Sequence, residues 1–252
     1  MNFHEFVVAF SLLFSSHTLV DEVKIIHLSP ALCKITSTQV ADGTVPKPED
    51  VAKDAYCISL LMKTHAPRGA VTIFGSARTS EIQESYKITR EFARLWTQEH
   101  GSIYPVLTGG GLGIMEAGNR GASDAGGASL SIATAFTGAG EKSNRYSTHS
   151  YLSASFSERE SALVDYAAAI VVAPGGFGTE WEIYETLSKI QTHKKNAVPV
   201  VLLGGKKAWV NLLLRIEDMK VQKTIAPADV DLIFIAESPE SAFAKIEKFL
   251  LK

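Results

Sequence analysis

From residue 70 onward, short unbroken apolar runs alternate with segments whose apolar positions recur every three to four residues. The first run, 71–74, stops at Gly75. Ser80-x-x-Gln83 then has the form of a capping box, and Ile82, Tyr86, Phe92, Leu95 and Trp96 follow at helical spacing. The same pattern gives strand 103–107, helix 112–125, strand 128–134, a glycine-rich polar loop from about 136 to 147, and a weaker strand 148–153. Helix 158–166, strand 168–172, helix 180–192, strand 198–203, helix 206–219, strand 232–235 and helix 239–250 complete the rhythm, the last opened by Ser238 and Pro239. The strands are apolar almost throughout, as a parallel sheet covered on both faces requires. The pattern therefore predicts an α/β fold: a doubly wound Rossmann-like parallel sheet flanked by helices, in a single domain spanning 70–252. Ligands on such sheets sit at the carboxyl ends of the strands, so the loops that follow strands are where chemistry belongs.

Residues 1–69 do not share this rhythm and read as an N-terminal extension, with a polar linker at about 34–50 that contains Pro46 and Pro48. Residues 49–65 read as a helix with Val51, Ala55, Ile58 and Leu61 on one stripe. The apolar run 6–14 lacks a preceding Lys or Arg and is too short to span a bilayer, so it reads as a buried or partner-facing helix rather than a signal or anchor. Composition is ordinary for a globular protein, with 46% hydrophobic and 21% charged residues, which excludes wholesale disorder. A net charge of −2 gives no electrostatic reason to expect a nucleic-acid partner. The two cysteines, Cys33 and Cys57, fit no metal-ligand spacing and are too few for a disulfide scaffold, so a reducing cytoplasm is expected.

Two glycine-rich turns carry the chemistry. Thr108-Gly109-Gly110-Gly111-Leu112-Gly113 follows a strand and opens a helix, where exposed amides and the positive end of the helix dipole favour an anion. No Gly-Lys-Ser/Thr follows, and Glu116 stands where a dinucleotide fingerprint needs its third glycine, so a phosphate of another kind of ligand is expected. Pro174-Gly175-Gly176-Phe177-Gly178-Thr179 is a second turn of this type. Two such turns facing one crevice suit a ligand with a phosphate and a sugar. Thr179-x-x-Glu182 has the form of a capping box, with Glu185 on the same helical face, so Glu182 is open to two readings, helix cap or catalytic acid. Ser157-x-x-Glu160 is another possible box, which makes Glu160 structural. Arg159 falls in the first turn of its helix, against the dipole, as a solvated side chain or as one with an anion to bind.

Together these motifs resemble the LONELY GUY family, phosphoribohydrolases that release cytokinin bases from riboside monophosphates and were formerly described as lysine decarboxylase-like. The family's Pro-Gly-Gly-x-Gly-Thr-x-x-Glu stands unbroken at 174–182, its Gly-Gly-Gly-x-Gly-Ile/Leu-Met at 109–115, and Val71-Thr-Ile-Phe-Gly-Ser-Ala-Arg78 is similar to the Gly-Ser-Ala-Arg subgroup. The resemblance covers about residues 70–250. It implies that Arg159 and Glu182 are the catalytic pair, with Glu185 in support. It also implies that Gly75, Ser76, Gly109, Gly110, Gly111, Gly113, Met115, Gly175, Gly176, Gly178 and Thr179 bind substrate or its phosphate. Where the family usually has Lys after the arginine, this chain has Glu160.

The function so implied is hydrolysis of the N-glycosidic bond of a purine nucleoside 5′-monophosphate, AMP or an N6-modified AMP, to free base and ribose 5-phosphate. Neither metal nor cofactor is expected, nor a nucleic-acid or membrane partner. A homodimer or higher homo-oligomer is expected, because Trp181, Ile183, Tyr184 and Leu187 place apolar groups on more than one face of their helix. The alternative is a nucleotide- or cofactor-binding protein of the same fold without turnover. A literal lysine decarboxylase has no sequence feature in its favour.

Overall fold

The computed structural model describes residues 45–134 and 144–251, together with Pro30 and Cys33. The expected helix at 6–14 and most of the loop at 136–147 lie outside the described residues. Eight α-helices and seven strands are described: α1 (Pro48–His65), β1 (Ala70–Phe74), α2 (Glu84–His100), β2 (Val106–Thr108), α3 (Ile114–Asp124), β3 (Ser129–Thr134), β4 (His149–Ser153), α4 (Phe156–Asp165), β5 (Ala167–Val172), α5 (Phe177–Gln191), β6 (Val200–Leu203), α6 (Gly205–Ala208), α7 (Val210–Val221), β7 (Ile233–Ala236) and α8 (Pro239–Leu250).

All strand pairs are parallel, in the order β4-β3-β2-β1-β5-β6-β7. This is the doubly wound sheet that the apolar runs predict. Successive strands add outward from β1 as far as β4. The chain then returns to the other edge of β1 and adds β5, β6 and β7, so the topological switch point lies between β1 and β5. Phe74 pairs with Val172 at the carboxyl end of that central pair. The turns after β1, β2 and β5 therefore open into one crevice.

Side chains alternate across the sheet into two apolar layers. On one face Phe74, Leu107, Ile132, Ile170 and Leu202 pack with Ile58 and Met62 of α1, Leu163 of α4, Ile183 of α5 and Ile216 of α7. On the other, Val71, Ile73, Val106 and Val171 pack with Phe92 and Trp96 of α2, Ala122 of α3 and Ile246 of α8. Each such large side chain taken fully out of water contributes roughly 1.5–3 kcal/mol. Because α4 and α5 lie on the same face, they place Arg159 and Glu182 side by side at the crevice.

Several local expectations are corrected. Gln83, not Ser80, precedes the first turn of α2; its Oε1 accepts from the amide and hydroxyl of Ser80 in a loop that leaves Ile82 exposed. Strand β2 begins at Val106 because Ile103 and Tyr104 donate their amides to His100 in a turn that closes α2. The expected helix 206–219 is divided into α6 and α7 at Trp209. On α1 the buried positions are Asp54, Cys57, Ile58 and Met62, whereas Ala55 is exposed. A disulfide joins Cys33 to Cys57, with Cα atoms 5.4 Å apart. One bond is not a scaffold, but a reducing cytoplasm does not favour it, and nothing in the 24-residue spacing announces it. No described helix is long and apolar enough to cross a membrane.

Candidate functional site

A cavity of about 570 Å³ opens at the switch point. The turn after β1 contributes Gly75, Ser76, Ala77 and Arg78, and the turn after β2 contributes Gly109, with Met115 from α3. Phe156, Arg159 and Glu160 enter from α4, and Gly176, Phe177, Gly178, Thr179, Glu180 and Glu182 from the start of α5. A second cavity of about 530 Å³ lies at the opposite end of the sheet, beside Lys63, Arg68, Asp165, Lys194 and Lys195. There Lys195 already donates to the carbonyls of Asp165 and Ala167, at the carboxyl end of α4, where cations are favoured for structural reasons.

The first glycine turn is packed rather than open. The Gly110 amide donates to Thr108 Oγ1 at 3.0 Å, and Thr108 Oγ1 donates to Asn119 Oδ1 at 2.6 Å. Asn144 donates its side-chain amide to the Gly111 carbonyl and its backbone amide to the Gly110 carbonyl. Gly113, with φ of 64°, presses against the backbone of Ser76 and Ala77, and the Ile114 amide at the start of α3 donates to the Ser76 carbonyl. Of the predicted residues in this turn only Gly109 reaches the cavity. A Cβ there would collide with the Arg159 guanidinium, so the glycine makes room for the arginine.

The second turn is different. Gly176 is the N-cap of α5 and offers no side-chain cap to the amides of the first turn, which border the cavity. The positive end of a 15-residue helix is thus presented to a ligand. Thr179 lies inside the helix, so the Thr179-x-x-Glu182 capping box does not form. Gly175 lies outside the cavity lining, where a Cβ would meet Thr179.

Arg159 and Glu182 are both buried, at 6% and 8% exposure, and share the cavity wall. Arg159 Nε donates to the Ile132 carbonyl at 3.1 Å, one terminal nitrogen contacts Glu160 Oε1, and the guanidinium lies 5.9 Å from the Phe156 ring centre. The reading of a solvated arginine is therefore corrected: the side chain is fixed inside the protein. The Ser157–Glu160 box is corrected as well. Ser155 caps α4 by accepting from the Glu158 amide, and Glu160 turns inward to the cavity. Burial holds the Glu182 carboxyl well above the usual carboxylate range; the charge of Glu160 adds to this and Arg159 opposes it.

Glu185 stays outside the cavity lining. It accepts from Ser161 Oγ and Trp181 Nε1 and pairs with Lys189 at 2.9 Å, bracing α5 against α4. Sequence reasoning missed Ala77, Arg78, Phe156, Phe177 and Glu180 as cavity residues and gave Glu160 the wrong task. Proximity to Gly75 and Ser76 was the signal for Ala77 and Arg78, and proximity to the second glycine turn was the signal for Phe177 and Glu180; Phe156 and Glu160 needed the packing of α4 to be known. Among the described residues no group of three or more His, Cys, Asp or Glu side chains is placed to hold a metal ion.

The family model described as possible lysine decarboxylase matches residues 115–246. Over 144 residues the chain is 29% identical to a cytokinin riboside 5′-monophosphate phosphoribohydrolase from Rhodococcoides fascians, covering 56% of this chain and 71% of that protein. Among solved structures, a structural-genomics target superposes with a TM-score of 0.55 at 25% identity, over 71% of this chain and 99% of that one. The molybdenum cofactor carrier protein of Chlamydomonas reinhardtii superposes with a TM-score of 0.53 at 24% identity, over 73% and 100%. The last likeness is one of fold.

Proposed function

Since this chain belongs to the LONELY GUY family, whose model carries the description possible lysine decarboxylase, we propose that it hydrolyses the N-glycosidic bond of a purine nucleoside 5′-monophosphate. The products are free base and ribose 5-phosphate, and AMP or an N6-modified AMP is the substrate class. The observation that carries this reading is the convergence of buried Arg159 and Glu182 beside the uncapped start of α5.

In this scheme the 5′-phosphate takes the first-turn amides of α5, Phe177 to Thr179, with Ser76 and Arg78 across the crevice. The glycines 109–113 act mainly by shape, letting the turn fold tightly and leaving space for Arg159. Glu182 holds a ribose hydroxyl and faces C1′ as the C1′–N bond breaks and the sugar becomes cationic. A fixed carboxylate at a developing cation is electrostatic catalysis, which typically supplies several kcal/mol. Arg159 meets the negative charge that develops on the departing base.

Binding without turnover is the competing reading, and the carrier protein of similar fold gives it a precedent. Two buried ionisable groups of opposite type on one cavity wall, Arg159 and Glu182, support turnover, so the enzyme reading is preferred. The deciding experiment incubates the protein with a panel of nucleoside monophosphates and follows released base by chromatography. Free adenine from AMP, or free base from an N6-modified AMP, is expected; stoichiometric binding without release would favour the carrier.

A further inference from the structure

The reaction as described leaves one buried ionisable group of the cavity without a task. Glu160 is 5% exposed, lines the same cavity as Glu182 and contacts the Arg159 guanidinium through Oε1, and its charge acts on the Glu182 carboxyl. Two carboxyl groups in one cavity with so little water resist joint ionisation, so one of them keeps its proton. One guanidinium balances one negative charge. The arrangement is complete with one arginine, one carboxylate and one carboxylic acid.

From this geometry we propose that Glu160 and Glu182 act as a one-proton pair that protonates the departing base and recovers its proton from the attacking water. This deepens, and rests on, the hydrolase reading. As C1′–N breaks, its electron pair stays with the base, and the proton of the pair forms an N–H bond on a ring nitrogen, so the base leaves neutral. Both carboxylates then face the oxocarbenium-like sugar beside Arg159, at the moment when negative charge helps most. Water attacks C1′; its oxygen forms the new bond, and the proton it loses returns to the pair. Substrate and one water become base and ribose 5-phosphate, with the protein unchanged.

The pair solves a difficulty that a lone glutamate has. At its ordinary pKa a carboxyl keeps its proton in roughly one molecule in several hundred at pH 7, which is a poor stock of acid. Burial and the Glu160 charge hold Glu182 above that range. The charges that act on Glu182 are Arg159 and Glu160 from α4 and, more weakly, Glu185 of its own helix, which is tied to Lys189; Arg78 from the turn after β1 and Glu180 from the start of α5 line the same cavity. Glu160 thus sets a like charge beside Glu182 in the same buried cavity. It is also the position where this chain departs from the usual lysine of its family.

The test is carbon-13 NMR titration of glutamate carboxyls in the full chain, for wild type, Glu160→Gln and Glu182→Gln, together with the pH profile of kcat/KM for AMP. One carboxyl of the wild type should titrate above the ordinary range, vanish in Glu182→Gln and move to lower pH in Glu160→Gln. The alkaline limb of the activity profile should move to lower pH in Glu160→Gln as well, with kcat falling about 10²-fold at neutral pH and KM little changed. A wild type with no carboxyl above the ordinary range, or a Glu160→Gln titration that overlays it, overturns the pair while leaving hydrolysis intact. Failure to release base from any nucleotide overturns the hydrolase reading and the catalytic step with it, even where the titration reveals a shared proton.

Discussion

Asp54 Oδ2 accepts a hydrogen bond from the backbone amide of Ser155 at 2.7 Å, across 101 residues of chain. The same carboxylate accepts from the Ala154 amide and from the hydroxyls of Tyr151 and Ser153. Asp54 is fully buried, and Ser155 is the N-cap of the helix that carries Arg159 and Glu160. Helix α1 thereby sets where α4 begins and which way its first turn faces. Replacing Asp54 with Ala would leave several buried donors without an acceptor, at a cost of about 3 kcal/mol or more. Thermal melts should show that loss, and kcat on AMP should fall in the folded fraction because Arg159 is no longer fixed. An Asp54→Ala protein as stable as the wild type would remove Asp54 from this role.

The phosphate should govern catalysis as well as binding. Held at the start of α5, it orients the ribose against Glu182, and its loss costs both affinity and alignment. AMP should be cleaved at least about 10²-fold better than adenosine in kcat/KM. Comparable values for the two substrates would rule out the uncapped helix terminus as a phosphate site.

Glu182→Gln should lower kcat by about 10²–10⁴, with a smaller change in KM. No cap is lost, because Gly176 occupies the N-cap. The folded-state pKa of Glu182 lies above its unfolded value, chiefly through burial, so its contribution to stability is fully present at low pH and lost as pH rises through the folded pKa. Melts recorded against pH should therefore show the wild type losing stability relative to Glu182→Gln across that window. Glu185→Gln should be milder in kcat, since Glu185 faces Ser161, Trp181 and Lys189 rather than the cavity.

Gly109→Ala tests the space reserved for the guanidinium. The added methyl would overlap the Arg159 side chain, whose far end can shift but only by leaving Glu160 and the Ile132 carbonyl. The variant should fold, since the displaced atoms belong to a side chain, and should lose roughly 10-fold or more in kcat through misplacement of a catalytic group. Full activity in the Gly109→Ala protein would show that Arg159 need not occupy its observed position.

The predicted oligomer can be checked by light scattering. Phe177 is 97% exposed and Trp181 60%, on adjoining turns of α5 beside the cavity mouth. Apolar side chains of this size, so placed, are expected to be covered by a second copy. A mass twice that of the chain, or more, is expected at micromolar concentration. A monomer would rule out this face of α5 as the contact between copies.

The sheet was legible because consecutive apolar residues between periodic segments admit few alternatives, and α8 matched its expected bounds from Pro239 to Leu250. Capping was less legible. Ser155 and Ser157 are equally good caps by type, and Asp54, remote in sequence, selects the first by holding its amide. Thr179 has the right partner at 182, yet the turn after β5 tightens early and starts the helix at Phe177. Arg159 looked misplaced against its helix dipole because the compensating carboxylate was taken for a cap. What the sequence could not convey was the convergence of α4 and α5, which brings Arg159, Glu160 and Glu182 into one cavity.

The position of β1 bears on how the chain must fold. Its neighbour on one side, β2, is the next strand in the chain, but Ala70 pairs on the other side with Ala167. During synthesis the half-sheet from β1 to β4 can assemble while the second edge of β1 stays bare, with its amides and carbonyls unpaired. That edge belongs to a strand buried at every position in the finished fold, and it is covered only when β5 emerges. A chain cut before residue 167 therefore lacks more than half a site: it presents a central strand as an edge, and its expected fate is to pair with another copy of itself.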